Sequence, residues 1–84
     1  MYTSFADELK ELRFGALVEC DEARRQFTVG SRWLYLGRAL CVTHVDIEQW
    51  IVVVHLQYAL DSGEIRDLEM PFRRAQVLLQ AVAT

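Results

Sequence analysis

The segment Trp50 to Tyr58, WIVVVHLQY, constrains the fold of this chain more than any other stretch. Side chains alternate along a strand, so Trp50, Val52, Val54, Leu56 and Tyr58 share one face. Ile51, Val53, His55 and Gln57 share the other. The first face is apolar throughout, and the second passes from apolar to polar. Such a segment fits a sheet covered on one side and wetter on the other. It is far shorter than the ~20 apolar residues of a membrane-spanning helix.

The flanking sequence supplies the rest of a small fold. Ser4 and Asp7 form a loose capping box, Phe5, Leu9 and Leu12 recur at helical spacing, and Gly15 is placed to close the turn. A helix over about Phe5 to Phe14 is predicted. Ala16 to Cys20 reads as a first strand. Arg32 to Val45 reads as a long strand in which Gly37 marks a bulge or a sharp bend. Asp46 to Gln49 reads as a loop, Asp61 to Glu64 as a turn, and Ile65 to Met70 as the last strand. Pro71 suits a first helical position, and Phe72, Ala75, Leu78, Leu79 and Val82 keep helical spacing to the end. Strands joined by short turns pair antiparallel. The expected fold is α+β: a small, strongly bent antiparallel sheet or SH3-like barrel of about four to five strands, flanked by an N-terminal and a C-terminal helix.

Residues 1–84 fit a single domain, and hydrophobic residues at 52% can supply its core without cross-links. Cys20 and Cys41 belong to no Cys-x-x-Cys pair, and the charged N-terminal segment MYTSFADELKEL lacks the apolar centre of a secretion signal. A cytoplasmic protein with reduced thiols is expected. The net charge of −3 argues against nucleic acid, whose binders carry a basic field. Eight of the nine basic residues are arginine, which suits bidentate pairing with carboxylates.

Two stretches, VGSRWLYLG (Val29 to Gly37) and EIRDLEMPFRRAQVLL (Glu64 to Leu79), carry a resemblance. Over about Leu12 to Val82 the chain resembles a small bacterial domain family of unknown function. That family's pattern is a Val-Gly turn, a Trp-x-Tyr-Leu-Gly strand, an apolar strand, and an Ile-Arg strand leading into a C-terminal helix. The chain departs from it at Thr43 to Gln49, where an aromatic-Asp-Gly turn is expected. The resemblance implies a fold and no activity.

No residue set calls for catalysis. A phosphate-binding glycine loop, a Ser-His-Asp set and a nucleotide fingerprint are all absent. Cys20 precedes Asp21 and Glu22, Cys41 lies between Leu40 and Val42, and both read as small core residues. If Asp46 to Gln49 is a loop, His44 lies near the hairpin tip and His55 several pairs away, too far for a shared metal. No catalytic residue, metal or cofactor is assigned. Trp33, Tyr35, Trp50 and Tyr58 cannot all face so small a core, and exposed aromatics make interface anchors. The residues expected to touch a partner are Asp46, Glu48, Trp50, Trp33 and Tyr35. The expected function is non-enzymatic: a bacterial or phage immunity protein or inhibitor that occludes a basic toxin or nuclease. The alternatives are a nucleic-acid-binding SH3-like module using Arg24, Arg25, Arg32 and Arg38, or an accessory subunit or homodimer of a larger complex.

Overall fold

The computed structural model describes residues 5–82. Its elements are α1 (Phe5–Gln26), β1 (Arg32–Tyr35), β2 (Arg38–Glu48), β3 (Ile51–Ala59), β4 (Ile65–Pro71), α2 (Phe72–Leu78) and β5 (Gln80–Ala81). The strands form one antiparallel sheet in the order β4-β3-β2-β1-β5. The sheet is open, with β4 and β5 at its edges, so the barrel alternative is not realised. Both helices pack on the same face, giving two layers around one core. No helix among the described residues is long and apolar enough to cross a membrane.

The largest departure from the sequence expectation lies in α1. The helix does not stop at Gly15, and Ala16 to Cys20 is helical rather than a strand. Ala16, Cys20, Ala23 and Phe27 explain why. They recur at i, i+4, i+7 and i+11, and all four are buried. Burial of this stripe against β2 and β3 outweighs the roughly 1 kcal/mol that an internal glycine costs a helix. The capping box at Ser4 lies outside the described residues.

Gly15 therefore offers a direct test. Its backbone does not take up a positive φ, and a Cβ added there meets nothing within 4 Å. Gly15→Ala is expected to stabilise the protein by about 0.5–1 kcal/mol in chemical denaturation. A loss of stability would instead support a helix terminus at Gly15.

The stretch Arg32 to Val45 is not one strand. It breaks into β1 and β2 at a two-residue turn, Leu36 and Gly37, both at positive φ. Gly37 thus serves a hairpin turn rather than a bulge. The second hairpin is tighter than expected. β2 runs on to Glu48, and only Gln49 and Trp50 connect it to β3, at φ 51° and 63°. Pro71 ends β4 and caps α2 from outside. α2 closes early because Leu79 turns extended, at φ −87° and ψ 132°. That turn buries Leu79 and sends Gln80 and Ala81 alongside Leu34 and Trp33.

The core joins Cys20, Ala23 and Phe27 of the α1 end to Leu40, Val42 and Val45 of β2, Val52, Val54 and Leu56 of β3, Met70, and Phe72, Ala75 and Leu79 around α2. The alternation read from Trp50 to Tyr58 holds for Val52, Val54 and Leu56. Gln76 donates to Gln26 at 2.9 Å, and Arg73 lies 3.7 Å from Glu19, so α2 is also tied to α1 at the surface.

Candidate functional site

The face of the sheet turned away from both helices carries the polar chemistry. Its geometry depends on one irregularity in β2. Leu40 and Val42 point into the core, and so do Val45 and Ile47, a change from even to odd positions that regular alternation forbids. The ladder absorbs it between Val42 and His44, where the register shifts against β3. Thr43 is the extra residue of this bulge, and its hydroxyl donates to the His55 carbonyl at 3.2 Å. The bulge brings His44 onto the open face directly opposite His55.

This overturns the expectation that the two histidines lie several pairs apart. They are cross-strand partners, and their rings stack at 4.0 Å with planes 9° apart. Around them, Asp46 and Glu48 of β2 and Asp67 and Glu69 of β4 are exposed. Glu69 is paired with His55, Asp67 with Gln57, Asp46 with Val53 and Glu48 with Ile51. Glu48 Oε1 reaches His55 Nε2 at 3.3 Å, and Glu69 Oε2 lies 3.5 Å from His55 Nδ1. To do so, the Glu48 side chain runs back along the face past the Asp46–Val53 row. Val53 is only 8% exposed, although it faces away from the helices. Sequence reasoning missed this grouping because three strands contribute to it. The parity change from Leu40 and Val42 to Val45 and Ile47 was the signal that would have exposed the bulge.

The five residues expected to meet a partner fall into two groups. Asp46, Glu48 and Trp50 lie together at the β2–β3 end, the first two on the strand rather than in a loop. Trp33 and Tyr35 are on β1, half-buried and packed against the core. The Trp33 ring sits 4.6 Å from Phe27, and its indole N–H donates to Ser31 Oγ at 2.9 Å. Of these five, Trp50 is the exposed aromatic, at 46%, and Phe14 of α1 is exposed beside it at 70%. Arg13 lies over its ring at 5.0 Å, and Trp50 forms one wall of an open groove of about 1020 Å³ with Phe14, Val18, Phe72 and Arg73. Gln49 and Trp50 both hold left-handed backbone that bulky residues rarely adopt, a strain of order 1–3 kcal/mol each.

The arginines do not gather into one basic surface. Arg24 and Arg25 are in the last turn of α1, where Arg24 reaches the Val45 carbonyl at 3.4 Å. Arg38 lies over Tyr58, and Arg32 sits on β1 opposite Cys41. Of the two thiols, Cys20 is the buried one and Cys41 is half-exposed, beside Arg32 and Gln57 on the open face. Burial pushes the Cys20 thiol up from its ordinary pKa; Arg24 opposes the shift, and Asp21 and Asp46 add to it. A thiol so placed is a poor nucleophile.

No family model, curated protein or solved structure matches the chain.

Proposed function

We propose that the protein is a non-enzymatic binding protein that docks onto a basic protein surface through the open face of its sheet. The observation that carries this is the grouping of Asp46, Glu48, Asp67 and Glu69 on the one sheet face that neither helix covers. In its sharpest form the protein is an immunity protein or inhibitor. Enzymes that grip phosphate carry basic clefts, and an acidic sheet edged by an exposed Trp50 matches such a cleft in charge and supplies an apolar anchor. A backbone held under strain at Gln49 and Trp50 fits a site where the tip's shape is kept for contact. The nucleic-acid alternative draws less support, because Arg24, Arg25, Arg32 and Arg38 are spread over α1, β1 and β2.

The test immobilises the full chain, captures partners from the host extract, and measures affinity of the purified partner at low and high salt. The expected partner is basic, loses activity when bound, and binds more weakly as salt rises. Asp46→Lys with Glu48→Lys should cut the association rate about tenfold or more, while Arg24→Glu with Arg25→Glu should leave it within about twofold. The opposite pattern, together with retention of DNA or RNA fragments, would establish the nucleic-acid reading instead.

A further inference from the structure

We propose that Glu48, His55 and Glu69 form a binding site for a divalent transition-metal ion of the Zn²⁺ type. One ligand atom from each of the three residues lies within 4.8 Å of the other two, and each residue comes from a different strand. His55 Nε2 and Glu48 Oε1 are 3.3 Å apart. That is the separation of two ligands on one tetrahedral ion with bonds of about 2.0–2.1 Å, whose edge is about 3.3 Å. Although Glu48 is this near, the contact lacks hydrogen-bond geometry, and Nε2 is the one buried side-chain polar atom left without a partner among the described residues. A buried ring nitrogen beside a carboxylate and bonded to nothing is disfavoured unless something completes it. A cation between the two would do so.

The surroundings suit an ion more than a simple ion pair. Two carboxylates and a neutral imidazole offer a charge of −2 to a divalent cation. Among the described residues, no lysine or arginine pairs with Glu48 or Glu69. Stacking on His44 holds the His55 ring in plane, and its side chain is 17% exposed. Glu69, 64% exposed, has its Oε2 3.5 Å from Nδ1 rather than Nε2, so it joins the ion by moving its side chain. Water fills the remaining position. Imidazole with carboxylate selects Zn²⁺ and its transition-metal neighbours over Mg²⁺ and Ca²⁺, which prefer oxygen alone.

The experiment titrates Zn²⁺ alone into the full chain by calorimetry, in a non-chelating buffer with the thiols kept reduced. In parallel, the ring nitrogens of His55 are followed by NMR. One ion per chain, a selective shift of the His55 Nε2 resonance, and reversal by a chelator are expected. Glu48→Gln and Glu69→Gln should each weaken binding by about tenfold or more. Both residues are exposed, so circular dichroism should be unchanged. Cys41→Ser and His44→Gln should keep saturable one-to-one binding. The proposal fails if Zn²⁺ does not saturate, if Glu48→Gln and Glu69→Gln bind as the parent does, or if binding disappears with Cys41→Ser.

Discussion

Phe27→Ala is expected to cost about 3–5 kcal/mol, the largest loss from any single side chain in this protein. Phe27 is 1% exposed and follows the last turn of α1. Its ring meets Trp33 at 4.6 Å and Phe72 edge-on at 5.9 Å, so one side chain joins α1, β1 and α2. Truncation removes both aromatic contacts and leaves a cavity bounded by three elements that cannot all move inward together. A domain of 84 residues has a total stability of the order of 4–12 kcal/mol, so a large part of it would go. Urea unfolding followed by tryptophan fluorescence measures the loss and also reports whether Trp33 becomes wet. A loss under about 1 kcal/mol with an unchanged denaturant slope would show that the three elements are held independently of this ring.

The second large effect is a contrast between two deletions. Removing one residue from a central strand ordinarily turns every following side chain to the wrong face. Deleting Val54 from β3 should do this, sending His55 and Gln57 inward and Leu56 and Tyr58 outward, and should abolish cooperative folding. Deleting Thr43 should not. Without it, Val42 opposite Leu56 is followed by His44 opposite His55 and Val45 opposite Val54, an unbroken ladder. The loss should be no more than about 1–2 kcal/mol, from the Thr43 hydroxyl bond and the local twist of the bulge. Thermal unfolding of the two deletions settles it. Equal damage from both would mean that the bulge sets the curvature on which the helices pack.

The same bulge shows what could be read from the sequence and what could not. The alternation of Val52, Val54 and Leu56, the turn at Asp61 to Glu64 and the strand from Ile65 are local patterns that the folded chain keeps, whereas Trp50 leaves the strand for the turn. The first strand was misassigned because Ala16 to Cys20 is apolar enough for either state, and Gly15 is a plausible stop. Only the longer register through Ala23 and Phe27 decides for the helix. The hairpin at Gln49 and Trp50 could not be found from turn chemistry, since neither residue favours positive φ. The β2–β3 pairing imposes that geometry from outside. For the site, the carboxylates and histidines were visible as residues, but their meeting depends on a three-strand register. Asp46, Glu48 and Trp50 come together because they flank one turn, whereas Trp33 and Tyr35 turn inward to complete the core around Phe27.

β4 is an outer strand, hydrogen-bonded on one side to β3, and its other side pairs with no strand among the described residues. Such an edge invites a second copy to extend the sheet. Symmetric pairing of two β4 strands with both open faces on one side can centre on Asp67, Leu68 or Glu69. These registers set Asp67 against Asp67, Asp67 against Glu69 on both sides, or Glu69 against Glu69. Every one places carboxylate opposite carboxylate at the close spacing of a cross-strand pair, where like charges repel. Pro71 at the strand's end withholds a further donor. The acids of the open face thus also work against edge-to-edge pairing along this seven-residue strand.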